Sequence, residues 1–199
     1  MLANFETYYR LLLKWNATIN LTALQLDDAP SGTLDRLFVE SMAASRWVSP
    51  GISRWIDLGS GAGSPALPMQ IVLARSPVGN PHLTMVESRG RKAAFLREAV
   101  RVLDLRDTKV ENARVEAVAA KLQAQADLVT VRAVRIDAPL LSSAQQLLRP
   151  SGLLMIFHSA AHVALPGWQL EQSIQLLSDQ PARLAILRLD VSRETSPRR

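Results

Sequence analysis

Apolar residues run along this chain in two alternating rhythms. Residues 5–15 carry Phe5, Tyr8, Tyr9, Leu11, Leu12 and Trp15 at near-helical spacing. Residues 34–48 repeat the pattern with Leu34, Leu37, Phe38, Met42 and Ala44, ending near Trp47 before Ser49-Pro50-Gly51 stops it. From residue 54 onward, short apolar runs take turns with helical stretches. The runs predict strands at 54–58, 82–86, 108–111, 127–131 and 153–157. Between them the spacing predicts helices at 65–74, 90–103 and 136–148, and one led in by residues 112–116 and ending near Gln125. In the helix at 90–103, Ala94, Phe95, Ala99 and Val102 are the expected inward positions. Residues 77–81 and 149–152 read as a loop and a turn. Near the end, Trp168, Leu170, Ile174 and Leu176 fall on alternate positions, and an apolar run at 184–191 follows a turn at 178–181, which predicts a hairpin.

Alternating strands and helices predict an α/β fold. Its sheet is expected to be mostly parallel with helices on both faces, closed by the terminal antiparallel hairpin. The chain has 199 residues, 48% of them hydrophobic, enough for one domain with a substantial core. Residues 1–51 are expected as a helical cap on it, 52–191 as the α/β core, and 192–199 as a basic, disordered tail.

The chemistry gathers at Trp55-Ile56-Asp57-Leu58-Gly59-Ser60-Gly61-Ala62-Gly63-Ser64-Pro65. This reads as a buried strand, a glycine turn and a helix start, with Ser64 as N-cap and Pro65 in the first turn. Glycines permit positive φ and close approach of a ligand to the backbone. The dinucleotide fingerprint G-x-G-x-x-G places a pyrophosphate on the helix N-terminus. Here the pattern is acid-x-G-x-G-x-G, and an acid at Asp57 repels a pyrophosphate but suits a cationic ligand. The pattern resembles motif I of class I methyltransferases, which bind S-adenosylmethionine. Glu87 ends the next strand, where an acid either accepts from ribose hydroxyls or caps the helix that follows. Arg132 ends the fourth strand on the same sheet edge, to serve the site or to neutralise Asp57 or Glu87.

Net charge is +5 and the pI about 10.2, which favours acidic partners such as nucleic acid. Arg89, Arg91 and Lys92 crowd a helix start against its dipole, as an anionic partner or a solvated face would have it. There is no cysteine, hence no disulfide, thiolate metal site or cysteine nucleophile, which fits a cytoplasmic protein. No signal peptide or membrane span is expected. His158 and His162 are spaced i, i+4, but no acid or further His stands beside them, so no metal site is expected. Arg132-Ala133-Val134-Arg135 is not the Asn-Pro-Pro-aromatic motif of adenine-N6 enzymes.

Several ordered motifs together resemble one bacterial family. Lys14-Trp15-Asn16-Ala17-Thr18-Ile19-Asn20-Leu21-Thr22 is similar to its K-W-N-x-x-x-N-L-T. Arg36-Leu37-Phe38-Val39-Glu40-Ser41 is similar to R-H-x-x-D-S. The glycine loop with Pro65 and Pro68, Glu87-Ser88 with Arg91, Lys92 and Phe95-Leu96, and Arg132-Ala133 match further motifs. The family is that of the 16S ribosomal RNA guanine-N7 methyltransferases, also called glucose-inhibited division protein B.

The resemblance implies S-adenosylmethionine as cofactor, bound by Asp57, Gly59, Gly61, Gly63, Ser64, Glu87, Val115, Glu116 and Arg132. Gly59 and Ser64 are expected at its methionine end, Glu87 at the ribose, Val115 and Glu116 at the adenine. Arg132 would lie at the junction with the substrate, and His158 at the guanine edge where the family has Lys. Lys14, Arg36, Arg91, Lys92 and Arg97 are expected to contact RNA. The expected partner of this monomer is 16S ribosomal RNA or a small-subunit assembly particle. The family's His, Asp and Lys-Gly are Leu37, Glu40 and His158-Ser159 here, and the helix after the fifth strand shortens to 160–167. Two alternatives follow: a methyltransferase for another substrate, and an RNA-binding or assembly module that binds cofactor without catalysing.

Overall fold

The computed structural model describes residues 1–76, 79–160 and 163–190. Seven strands form one sheet in the order β3-β2-β1-β4-β5-β7-β6. The five predicted parallel strands are β1 (Arg54–Leu58), β2 (His82–Val86), β3 (Thr108–Glu111), β4 (Ala126–Arg132) and β5 (Leu148–His158). The hairpin is β6 (Trp168–Gln175) and β7 (Arg183–Leu189), with β7 antiparallel to β5. β4 and the interior of β1 are buried, as apolar runs in a sheet covered on both faces must be.

Two hydrophobic cores cover the two faces. One packs α1 (Leu2–Asn16), α4 (Ala66–Leu73) and α5 (Gly90–Val102) around Trp55, Leu83, Met85 and Leu128. The other packs α6 (Val115–Lys121) and α7 (Ala138–Leu147) around Ile56, Leu58, Val129 and Val131. Residues alternate between faces along each strand, so Trp55 and Ile56 serve opposite cores. Chain order reverses between β1 and β4, and there the strand ends open a crevice.

The helical stretch expected at 34–48 is broken into α2 (Ser31–Leu34), a π-helical turn (Asp35–Val39) and α3 (Glu40–Ser45). Glu40 N–H bonds to the Asp35 carbonyl five residues back, which widens the turn. On α5 the buried residues are Ala93, Phe95, Leu96 and Ala99, while Ala94 and Val102 face outward. The large Phe95 and Leu96 side chains set the inward stripe, and Ala94 adds little area to bury. α6 stops at Lys121 because Ala124 N–H and Gln125 N–H bond to carbonyls of Gln146 and Leu147 instead. The turn expected at 149–152 lies within β5, where a register shift against β4 absorbs it. No helix forms over the described part of 160–167; Pro166 and Gly167 (φ +79°) form a turn. His162 and the tail 192–199 lie outside the described residues. Among those described, no helix is long and apolar enough to cross a membrane, and no group of three or more His, Asp or Glu is placed to hold a metal ion.

Candidate active site

The glycine loop leaves β1 at the chain reversal and is stitched to β2. Gly59 N–H and Ser60 N–H both donate to the Val86 carbonyl, at 2.9 and 3.0 Å. Gly59 has φ +70°, and a Cβ there would lie 2.5 Å from Val134 Cγ2, so the loops after β1 and β4 touch only because it is glycine. Gly61 differs. Its φ is +52°, and a Cβ would meet nothing closer than the Gly59 carbonyl at 3.7 Å. The backbone is bare toward the crevice. Gly63 packs instead against Leu67 and Leu96.

Two acids end neighbouring strands and do different things. Glu87 is buried but reaches the loop: one carboxylate oxygen accepts from Gly61 N–H at 2.9 Å, the other from Arg89 N–H at 2.8 Å. It therefore ties the loop to the entry of α5, whose own N-cap, Arg89, has no side-chain bond. Asp57 is 1% exposed and lies beneath the loop. Trp55 Nε1 donates to Thr130 Oγ1 (2.8 Å), which donates to Asp57 Oδ1 (2.5 Å). Asp57 Oδ2 has no hydrogen-bond partner. Burial pushes its pKa up to about 6. Asp57 was expected to face a cationic ligand; it supports the floor under the loop instead.

Arg132 ends β4, is buried, and pairs with Glu40 rather than with Asp57 or Glu87. Nη2 donates to Glu40, Nη1 donates to Ser64 Oγ at 3.2 Å, and the guanidinium lies 5.3 Å from the centre of the Phe157 ring. Ser64 Oγ donates to the Leu37 carbonyl at 3.4 Å. It is not the N-cap of α4; Pro65 holds that position. Tyr8 of α1 donates to the Ala62 carbonyl at 2.7 Å, and burial raises its pKa further above the ordinary phenol value. The cap thus grips the glycine loop and Arg132 together.

Three adjoining cavities open here. A cleft of about 930 Å³ is bounded by Leu21–Leu24 of the cap, the glycine loop from Gly59 to Ser64, Glu87 and Arg132. A cavity of about 410 Å³ shares Gly59, Glu87 and Val134 with it and is closed by Val115, Glu116 and Leu140. A third, of about 370 Å³, lies beyond Arg132 between Glu40, Phe157, His158 and Gln180. Volumes of this size suit small-molecule and cofactor sites. Gly61's bare backbone fits a ligand that lies against the main chain.

The predicted RNA contacts divide. Arg36 is exposed on the π turn at the rim of the first and third cavities. Arg91 and Arg97 on α5 and Lys14 on α1 are exposed. Lys92 is different: its ammonium donates to the Leu21 carbonyl at 3.1 Å, tying α5 to the cap. His158 borders the third cavity, but both ring nitrogens are covered and without a hydrogen-bond partner. Burial lowers its pKa. Sequence reasoning missed Glu40, noted only as a departure; an acid enclosed by Phe38, Val39 and Ser41-Met42 was the available signal. It also missed Thr130 and Tyr8, whose hydroxyls sit within apolar patterns.

A mostly parallel sheet, a glycine loop after β1 and an acid ending β2 define the class I methyltransferase architecture. Solved structures agree at the level of fold. A SAM-dependent methyltransferase from Aquifex aeolicus aligns with TM-score 0.59 and 13% identity over 80% of this chain and 93% of its own. The mitomycin 7-O-methyltransferase MmcR aligns with TM-score 0.63 and 16% identity over 92% and 60%. The family described as rRNA small subunit methyltransferase G, GidB, matches residues 1–181. Ribosomal RNA small subunit methyltransferase G of Xanthomonas oryzae pv. oryzae is 36% identical over 174 residues, 85% of this chain and 76% of that protein. Its counterpart in Stenotrophomonas maltophilia is 35% identical over 170 residues, 83% and 74%. The chain belongs to the rRNA small subunit methyltransferase G family.

Proposed function

We propose that this protein methylates guanine N7 of 16S ribosomal RNA with S-adenosylmethionine. The observation that carries this reading is the cleft at the β1/β4 reversal, bare at Gly61 and joined by Arg132 to a second cavity, in a chain of this family. Gly59, Gly61 and Ser64 would hold the methionine end, Glu87 the ribose, and Val115 and Glu116 the adenine side. Asp57 and Gly63 support that loop from below. When bound, the cofactor supplies a methyl group activated by its sulfonium.

Guanine N7 presents a lone pair and no proton, so no residue has to act as a base. What the chain must provide is alignment and an environment for positive charge. Arg132 lies where two reactants would meet and orients them. The nearest acids are engaged: Glu40 with Arg132, Asp57 with Thr130, Glu87 with Gly61 and Arg89. Arg36, Arg91, Arg97 and Lys14 offer phosphates a basic rim, while Lys92 braces the cap. We further propose that the protein works as a cytoplasmic monomer, on naked RNA or an assembling small subunit.

Transfer of labelled methyl from S-adenosylmethionine to 16S RNA tests this reading. The wild type is expected to label the RNA. Gly61→Val, which places a side chain in the bare space at positive φ, is expected to abolish cofactor binding in calorimetry while circular dichroism stays unchanged. Wild-type affinity in that variant would overturn the assigned cleft. Cofactor and RNA binding without transfer would favour the non-catalysing module.

A further inference from the structure

The Arg132 guanidinium forms a wall shared by the large cleft and the third cavity. Its partners fall on the two sides. Ser64 borders only the large cleft, whereas Glu40 borders only the third cavity. Both side chains of the ion pair are nearly closed to water, at 6% and 4% exposure. A surface pair would say little; a buried one fixes a geometry, because either charge left alone is costly.

Arg132 has somewhere else to go. Asp57 Oδ2 is buried and without a partner, and the Arg132 charge already acts on that carboxyl. A guanidinium released from Glu40 would be drawn toward Asp57 and the glycine loop, away from Phe157 and the third cavity. Glu40 stands directly after the π turn, a local geometry common at functional sites.

We propose that Glu40 is a positioning residue: it holds the Arg132 guanidinium as the wall between the two cavities and so keeps it available to the acceptor side. Glu40 acts through Arg132 and touches neither reactant. The proposal rests on Arg132 orienting the reactants, so the experiment first establishes wild-type transfer to RNA and then asks about Glu40.

The test is a double-mutant cycle on the single-turnover rate at saturating cofactor and RNA. Glu40→Gln keeps the shape and removes the charge. It is expected to slow turnover at least tenfold, with cofactor affinity within about twofold of wild type, as a misplaced aligning group does. Glu40→Asp, which keeps the charge, is expected to recover part of the rate. In an Arg132→Ala background, itself slowed about a hundredfold, Glu40→Gln is expected to have no further effect. A wild-type rate in Glu40→Gln overturns the proposal. So does an equal fractional loss in both backgrounds, which a merely structural role in folding would give. Thermal melts of each variant show whether the chain is folded, and the cycle is read only among folded variants, with Glu40→Ala, which also removes the charge, substituting if Glu40→Gln is not.

Discussion

Asp57 is a carboxylate held where water cannot solvate it. Burial raises its pKa from 3.8 to about 6, while the Thr130 hydrogen bond and the Arg132 charge restrain the rise. Between those two values the folded protein holds a proton that the unfolded chain has released. Stability is therefore greater below this window and falls as pH rises through it. Asp57→Asn keeps an acceptor for Thr130 and removes the titration. The melting temperature of the variant, minus that of wild type, is expected to increase from about pH 4 to about pH 6 and then level off. A difference independent of pH would show that Asp57 titrates as in the unfolded chain. At this scale the sequence marked Asp57, Glu87 and Arg132 correctly as strand-end charges. It could not say which way they turn, because that depends on Thr130, Gly61 and Glu40, residues 73, 26 and 92 positions away in the chain.

At the scale of elements, α1 and α5 carry the exposed Lys14, Arg91 and Arg97 together with the cap's attachment. Trp15 packs against Phe95 with ring centres 5.8 Å apart, and Asn16 accepts from Leu21 N–H and Thr22 N–H at 2.8 and 3.0 Å. Those bonds shape the loop that borders the large cleft. Replacing Lys14, Arg36, Arg91 and Arg97 by neutral residues is expected to weaken RNA binding and flatten its salt dependence, by about 0.7–0.9 in log–log slope for each phosphate no longer neutralised. Lys92→Met is expected to lower the melting temperature with a smaller change in slope, since its ammonium serves Leu21. Filter binding across a salt series measures both, and an unchanged slope in the fourfold variant would make the rim merely solvated. Strand positions were legible because buried parallel strands are apolar runs. β6 was legible only in outline. Trp168 and Leu170 pack on one core and Ile174 on the other, because the register shifts between Leu170 and Gln172. Such a bulge moves later side chains to the opposite face, and nothing in the alternation of residues announces it. The π turn was equally hidden, since its apolar positions fit an ordinary helix.

Across the whole molecule, one sheet carries the large cleft, the proposed cofactor site, at its chain reversal, and the cap borders that cleft through Leu21–Leu24. Tyr8, Ser64 and Glu40 connect cap, loop and sheet through the glycine loop and Arg132. Glu40, Asp57 and Glu87 are all engaged in hydrogen bonds around this cleft, which suits the proposed acceptor, a nitrogen whose lone pair needs no base. The most direct measurement is mass spectrometry of nucleosides from 16S RNA, naked or in small subunits, incubated with the protein and S-adenosylmethionine. The expected result is a new 7-methylguanosine that is absent with Gly61→Val. A methyl group on any other atom, or RNA left unmodified by protein that binds the cofactor, would contradict the account.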